Sequence, residues 1–226
     1  MSDYFDIFVA LDGPVLDGRV GAAGVLRLRF QSGSNQHKPV DIKVRFFDGA
    51  AGGHALQLSP SGMLGFLGGF TRCPVIFSTE TLDPVLRMNF NQGHRKLRTS
   101  YESQTHAVWL NDKKFITVVG KNFYLVNLQD NNWIDMGEHG AGLPHAIKFS
   151  PSKQFLFYGA MDHDFRGPAK RVGIFDLETG QARIIFLDDT AWHFGVHPME
   201  DIFYPVTECY EPGAGIGKAS YDYTNF

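Results

Sequence analysis

The sequence contains little cysteine. Its 226 residues include two cysteines, Cys73 and Cys209, which lie 209 − 73 = 136 residues apart. Neither belongs to a CxxC or CxxH motif. Structural zinc sites and thioredoxin-like redox sites are built on closely spaced cysteines, so the sequence argues against both classes. A disulfide between the two residues has no other support in the sequence.

Long apolar runs and an excess of one charge are also missing. No apolar run approaches the ~18 to 20 residues that a membrane-spanning helix needs. Residues 1–6 are acidic, where a signal peptide needs positive charge. The 21 basic and 24 acidic residues give a formal net charge of −3, whereas nucleic-acid-binding proteins carry a strongly basic face. We therefore expect a cytoplasmic protein with neither a membrane nor a nucleic acid as partner.

Glycine and aromatic residues are plentiful by contrast. The chain has 25 glycines and 20 phenylalanines, and 14% of its residues are aromatic. Glycine supplies turns, and aromatic side chains favour the pleated surface of strands. The length suits one large domain or two small ones. This composition indicates a globular protein rich in β-sheet.

A fifteen-residue repeat occurs three times. Residues 54–68 (HALQLSPSGMLGFLG) align without gaps with residues 145–159 (HAIKFSPSKQFLFYG), and the two segments share the His, Ala, Ser, Pro, Ser, Phe and Gly. Residues 106–120 (HAVWLNDKKFITVVG) keep the same interval from His to Gly. Internal repetition at such spacing is the mark of a repeat architecture. The three copies therefore indicate three equivalent structural units.

Each copy has the pattern of a hairpin, in which a polar turn separates two apolar strands. A second hairpin follows each copy, at residues 75–87, 123–134 and 172–185. The copies start 106 − 54 = 52 and 145 − 106 = 39 residues apart. Four antiparallel strands per ~40 to 50 residues are typical of a β-propeller blade. We predict an all-β fold, a β-propeller of four-stranded antiparallel blades.

The two ends of the chain supply the remaining strands. Residues 24–30 and 40–47 alternate apolar and polar side chains, as half-buried strands do, and residues 5–11 are largely apolar. Residues 194–198 and 201–206 indicate a last, incomplete blade. The prediction is a single domain over residues 1–226, with five blades or as part of a larger ring.

Two turns carry a resemblance to known repeats. The FSPSK turn at residues 149–153 and the IFDLETG hairpin at residues 174–180 resemble the turns of WD-type and YVTN-type propeller repeats. The resemblance covers residues 54 to 204 and identifies a repeat class without naming an enzyme. WD-type repeats keep a structural His shortly before a first strand, and His139 has this place. His197 precedes Pro198 and is expected in a solvated turn.

A histidine begins the first strand of each repeat. In a propeller these strands line the central channel, so His54, His106 and His145 should point toward the axis from one end. His193 begins a fourth such strand, but aligning Pro198 with Pro151 places Trp192 opposite His145. Several imidazoles around an open position suit a catalytic metal. We predict a divalent transition metal, Mn, Fe, Zn or Cu, on these four histidines.

Loops predicted at the same rim carry further chemical groups. The loop over residues 161–167 contains His163 and Arg166, while Glu208 and Arg72 lie in the equivalent loops of other units. His163 or Glu208 would transfer a proton, and Arg166 or Arg72 would bind a substrate carboxylate.

Two functional hypotheses follow. The first is a metal-dependent enzyme of lyase or oxygenase type, which acts on a small or carbohydrate-like, anionic substrate. Its histidine placement is similar to that of oligogalacturonate lyases and carotenoid oxygenases, a resemblance in architecture that fixes no reaction. The alternative is a non-catalytic module that binds protein or carbohydrate, with structural histidines. A propeller glycosidase would need acids where this chain has histidines.

Overall fold

The computed structural model describes residues 3–11, 23–33, 38–47, 53–70, 74–88, 104–140, 143–161, 168–187, 190–209 and 220–222. Every regular element in these ranges is a β-strand. Accordingly, none of these residues forms a helix with the length and apolar character that crossing a membrane requires.

Five sheets follow one another along the described parts of the chain, and each is a meander in which successive strands are neighbours. The first sheet contains β1 (Tyr4–Leu11), β2 (Ala23–Gln31) and β3 (Asp41–Phe47). The second contains β4 (Gly53–Leu58), β5 (Leu64–Phe70), β6 (Val75–Ser78) and β7 (Pro84–Arg87), and the short β8 (Gln104–Thr105) pairs with β5.

The remaining sheets repeat this plan. The third contains β9 (Ala107–Asn111), β10 (Lys114–Val119), β11 (Asn122–Asn127) and β12 (Asn132–Glu138). The fourth contains β13 (Leu143–Phe149), β14 (Phe155–Met161), β15 (Pro168–Asp176) and β16 (Ala182–Phe186). The fifth contains β17 (Thr190–Val196), β18 (Phe203–Cys209) and β19 (Ser220–Asp222). The hairpins predicted from the repeat are therefore confirmed.

The chain divides into two compact units, Met1–Lys114 and Phe115–Phe226. The division falls at the start of β10, one residue after the turn that follows β9. A single domain over residues 1–226 stays a prediction.

In the first unit, the first sheet packs on the second through a buried apolar cluster. The rings of Phe47 on β3 and Phe77 on β6 lie 6.0 Å apart, and both side chains are fully buried. The buried members of the cluster are Ala23, Val25, Phe47, Leu67, Val75, Phe77 and Leu82. Burying each large side chain contributes roughly 1.5 to 3 kcal/mol. This cluster stabilises the sheet-on-sheet packing of the unit.

A buried arginine accompanies this cluster. Arg27 on β2 is 1% exposed. Its guanidinium donates to Asp41 Oδ2 at 2.6 Å and to the backbone carbonyl of Glu80 at 2.7 Å, in the turn between β6 and β7. A buried cation is tolerated only when it is paired and hydrogen-bonded. Arg27 therefore fixes the β6–β7 turn against the first sheet.

The neighbouring Arg29 forms a more exposed pair. It donates to both carboxylate oxygens of Asp6, at 2.8 and 2.9 Å. These bonds from Arg29 hold the pKa of Asp6 below its usual value. The pairing joins β1 to β2 on the same face as Arg27, because alternate residues of a strand share a face.

The alternation in residues 40–47 predicted a half-buried strand, in which the apolar face is the buried one, and this is wrong for β3. Ile42, Val44 and Phe46 are exposed, while Phe47, on the face of Lys43 and Arg45, is buried. The reason is that β3 contacts the second sheet through the face that carries its polar residues.

In the second unit, an aromatic cluster joins β11 to the fourth sheet. The Phe123 ring makes edge contacts with Phe175 at 4.9 Å and with Tyr158 at 5.3 Å between centroids. Gly173, opposite Tyr158 across the β14–β15 pair, leaves room for the tyrosine ring. A Cβ at this glycine would lie 2.0 Å from the ring carbon Cζ. Gly65 and Phe77 repeat the arrangement across β5 and β6.

Gly173→Ala should destabilise the protein, because the added methyl group collides with a ring that is itself fully buried. Overpacking of this kind costs about 1 to 3 kcal/mol. Gly195→Ala is the matched control: Gly195 also lies in a strand, and its Cβ would meet no atom within 4 Å. Denaturant unfolding monitored by circular dichroism measures both free energies of unfolding. Equal losses in the two variants would contradict the packing described for Gly173.

Candidate functional site

The first strands of two sheets carry a β-bulge where the metal ligands were predicted. In the β4–β5 pair, Gly53 faces Gly69 and Ala55 faces Gly68, so His54 is the extra residue. In the β13–β14 pair, Pro144 and Ile147 both have partners on β14. The two residues between them, His145 and Ala146, are one more than β14 has at the same place. A bulge interrupts strand alternation and commonly redirects side chains near active sites. The backbone positions of these two predicted ligands are therefore equivalent.

The fifth sheet has the same bulge, but with tryptophan in it. Ala191 faces Thr207 and His193 faces Val206, so Trp192 is the extra residue. The offset to the proline of the following turn is the same in three strands: 60 − 54, 151 − 145 and 198 − 192 all equal 6. Trp192 thus occupies the position of His54, and His193 occupies that of Ala55.

The remaining predicted ligand has a different setting. His106 is half-buried and lies between β8 and β9, where the chain leaves its short pairing with β5. Glu208 on β18 pairs with Thr190 at the start of β17, whereas His193 pairs with Val206 in the middle of β17. These two predicted site residues therefore lie in the same sheet, 193 − 190 = 3 residues apart along β17.

Three of the predicted catalytic residues, Arg72, His163 and Arg166, lie outside the described residues. Among the side chains that the structure describes, no three from His, Cys, Asp and Glu form a group that could hold a metal ion. The metal set His54, His106, His145 and His193 and the catalytic set stay predictions.

The structural role predicted for His139 is confirmed. The ring is 1% exposed, its Nε2 lies 2.9 Å from the carbonyl oxygen of Gly120, and its own carbonyl accepts a 2.6 Å hydrogen bond from the Tyr158 hydroxyl. Burial raises the pKa of Tyr158, so the hydroxyl remains a neutral donor. These bonds fix the connection between the third and fourth sheets.

The best-defined polar geometry lies at the opposite ends of the first strands, in the hairpin turns. In the β4–β5 turn, the Ser61 backbone N–H donates to Asp112 Oδ1 at 2.9 Å, and Asp112 belongs to the β9–β10 turn. The Ser59 hydroxyl accepts from the Leu64 N–H at 3.3 Å. The bond from the Ser61 N–H is the main reason that the pKa of Asp112 is lowered, and the Ser61 and Ser59 hydroxyls add to it.

The second unit repeats this network. The N–H of Ser152, in the β13–β14 turn, donates to Oδ1 of Asp201, in the β17–β18 turn, at 2.9 Å. The Ser150 hydroxyl accepts from the Phe155 N–H at 3.2 Å. Hydrogen bonds from the Ser152 hydroxyl and N–H lower the pKa of Asp201. We call each pair of joined turns a serine–aspartate clasp.

Exposed apolar side chains accompany the clasps. Met63 ends the β4–β5 turn and is 63% exposed, and Leu58 precedes that turn. Met199 lies in the β17–β18 turn and is 81% exposed, with the exposed Ile202 after it. His197 holds this turn, because its Nδ1 accepts from the N–H groups of Met199 and Glu200 at 3.3 and 3.0 Å.

Sequence reasoning missed the clasps. The Ser-Pro-Ser turns were visible as repeats, but their partners lie 51 and 49 residues downstream, in turns of different sequence. A search for an aspartate in the first hairpin turn of the following sheet, about 50 residues after each Ser-Pro-Ser turn, would have found both.

Asp112→Asn and Asp201→Asn should lower stability at pH 6, and they should lower it less at pH 2.5. A carboxylate with a lowered pKa in the folded state stabilises above its unfolded pKa of about 3.9, and this stabilisation is lost as the pH falls through the folded value. Thermal melts at both pH values measure the effect, with the exposed turn variant Glu178→Gln as control. A difference from wild type that is the same at both pH values would contradict it.

Comparison with known proteins supports the fold and leaves the function open. No family model and no curated protein sequence matches the chain. Among solved structures, it is similar to the crystal structure of the WD40 β-propeller domain of Doa1, with a TM-score of 0.57 and 15% sequence identity. The match covers 85% of this chain and 58% of that chain, so this chain spans less than two thirds of the length of its structural neighbour. At this identity the likeness establishes the fold alone, and the prediction of an all-β propeller of antiparallel sheets is confirmed.

Proposed function

We propose that this chain is a β-propeller binding module and that the clasped hairpin turns bind a protein ligand. The observation that carries this proposal is the combination of exposed methionines with turns whose backbone is fixed by side-chain hydrogen bonds. It develops the non-catalytic alternative inferred from the sequence.

The clasps support binding because they pre-organise the turns. A surface that is already ordered loses little conformational entropy when a ligand binds. The Ser61–Asp112 and Ser152–Asp201 bonds each tie one turn to the next, and the serine hydroxyls order the same turns from within. The backbone that presents Met63 is therefore fixed before a ligand arrives.

The exposed side chains favour a protein over a carbohydrate. Methionine is flexible and polarisable, and it is common on surfaces that accommodate varied protein partners. Met63 and Leu58 in the first unit, and Met199 and Ile202 in the second, offer thioether and aliphatic surface. Carbohydrate sites rely instead on flat aromatic rings and convergent hydrogen-bonding groups.

The recurrent bulge favours a second candidate, the metal-dependent enzyme. Bulges at His54 and at His145 with Ala146 occupy equivalent positions, and bulges often accompany active sites. In this proposal His54, His106, His145 and His193 would hold a divalent Mn, Fe, Zn or Cu ion. Arg166 or Arg72 would bind an anionic substrate, and His163 or Glu208 would transfer the proton.

Met63→Glu and Met199→Glu should each weaken binding of the peptides that recognise the corresponding turn. A random peptide library displayed on phage, selected against the immobilised full chain, supplies the probes. Burying one methionine contributes roughly 1.5 to 3 kcal/mol, which corresponds to at least tenfold in affinity. Phe186→Glu is the matched control. Phe186 is 78% exposed, but it is the last residue of β16 and so lies at the end of this strand remote from the β15–β16 turn. Selected peptides that lose affinity only with Phe186→Glu would overturn the proposal.

Metal analysis tests the second candidate. The untagged protein is incubated with each of the four ions and dialysed, and its bound metal is then measured by elemental mass spectrometry. The enzyme proposal predicts on the order of one ion per chain, lost in His145→Ala. His197→Asn should retain the ion, because an asparagine in the equivalent turn position, Asn111, accepts the same kind of backbone bonds. No bound metal in wild type, or retention in His145→Ala, would exclude this ligand set.

A further inference from the structure

The first sheet has an apolar face that points away from the second sheet. The register aligns Ile7 with Leu28 and Ile42, and Val9 with Leu26 and Val44, so these side chains share one face. We call this the outer face. Nine apolar side chains cover most of it, namely Phe5, Ile7, Val9, Leu26, Leu28, Phe30, Ile42, Val44 and Phe46, and Leu11 and Gly24 complete the row of Phe46.

Side chains of the outer face are exposed in the part of the chain that the structure describes. Ile42 is 59% exposed, Val44 50% and Phe46 52%, and the β1 members are exposed as well. The opposite face of the same sheet is covered by the second sheet through Val25, Phe47 and the cluster around them. That covered face also carries the charged side chains of Arg27, Lys43 and Arg45, so the outer face is the more apolar of the two.

The pattern of side chains on the outer face is the one that strands normally bury. Strands that alternate apolar and polar residues normally bury the apolar set. In β3 the apolar set faces water, while Lys43 and Arg45 lie on the side of the second sheet. Each of the nine side chains named above is aliphatic or aromatic, and Phe5 stacks on Phe30 with ring centroids 5.3 Å apart.

The size of the face suits an interface with an identical face. Nine side chains, several of them about half exposed, present on the order of 600 Å² of apolar surface, which is at the upper end of ordinary monomer patches. Two such faces in contact would bury about 1,200 Å² in total, the lower end of specific protein interfaces. A face without charge is complementary to a second copy of itself in a two-fold dimer.

We propose that a second copy of this chain covers the outer face, so that two first sheets pack face to face. The packing would continue the sheet-on-sheet stacking that joins the first and second sheets, with sheets about 10 Å apart. This inference is independent of the proposed ligand binding, because it uses neither the clasped turns nor the predicted metal ligands.

Sedimentation equilibrium of the full chain tests the proposal. The proposal predicts that a dimer with a mass of 2 × 25.3 = 50.6 kDa is the main species at about 50 µM, which corresponds to a micromolar dissociation constant. Val44→Glu should give a monomer of 25.3 kDa and raise the dissociation constant at least a hundredfold, because each dimer would bury two carboxylates. Circular dichroism checks that the variant is folded, as expected for a half-exposed site.

Val85→Glu is the matched control. It makes the same substitution at a valine that is 58% exposed on β7, in the second sheet of the same unit. It should remain a dimer. A monomeric wild type, a folded Val44→Glu that remains dimeric, or dissociation of Val85→Glu to the same extent as Val44→Glu would each overturn the proposal.

Discussion

The packing of one sheet's face on the next is the interaction on which the structure depends. Each sheet has three to five short strands in the described residues, and such a sheet gains little stability alone because its apolar side chains remain in water. In the first unit Phe47 and Phe77 bring two sheets together, and in the second unit Phe123, Tyr158 and Phe175 do so. Gly65 and Gly173 are part of this packing, because each leaves space for a buried ring.

Polar groups fix the arrangement that the apolar faces stabilise. Arg27 satisfies the backbone carbonyl of Glu80, His139 pairs with the carbonyl of Gly120, and the clasps of Asp112 and Asp201 satisfy backbone N–H groups in turns. In each case a side chain of one segment bonds to the backbone of another. Such bonds add modest net stability, but they determine which turn lies beside which. The result is a set of turns whose backbone is ordered.

The sequence revealed the parts of the fold that are local and repeated. The copies at residues 54–68, 106–120 and 145–159 predicted the hairpins because strand alternation and turn residues act over a few positions. The structural role of His139 followed from its place in the repeat.

Features that depend on distant segments could not be predicted in this way. The burial of Arg27 requires Asp41 across the β2–β3 pair and carbonyls 52 and 53 residues away. The clasps require the turn of another sheet. The bulges at His54 and Trp192 depend on strand register, which side-chain alternation alone does not fix. The exposure of Ile42 and Phe46 shows the same point, since alternation marks the two faces of a strand but not which one meets a neighbour.

Apolar sheet faces in this protein pack on other sheets, as in the cluster of Phe47 and Phe77, and we propose that a second copy of the chain covers the outer face. Hydroxyl-radical footprinting tests this proposal directly, because it reports the solvent accessibility of individual side chains. The account predicts that Phe46 is much less reactive than Phe186 in a concentrated sample, and that the reactivity of Phe46 rises on dilution. Equal reactivity of the two phenylalanines at every concentration would contradict it.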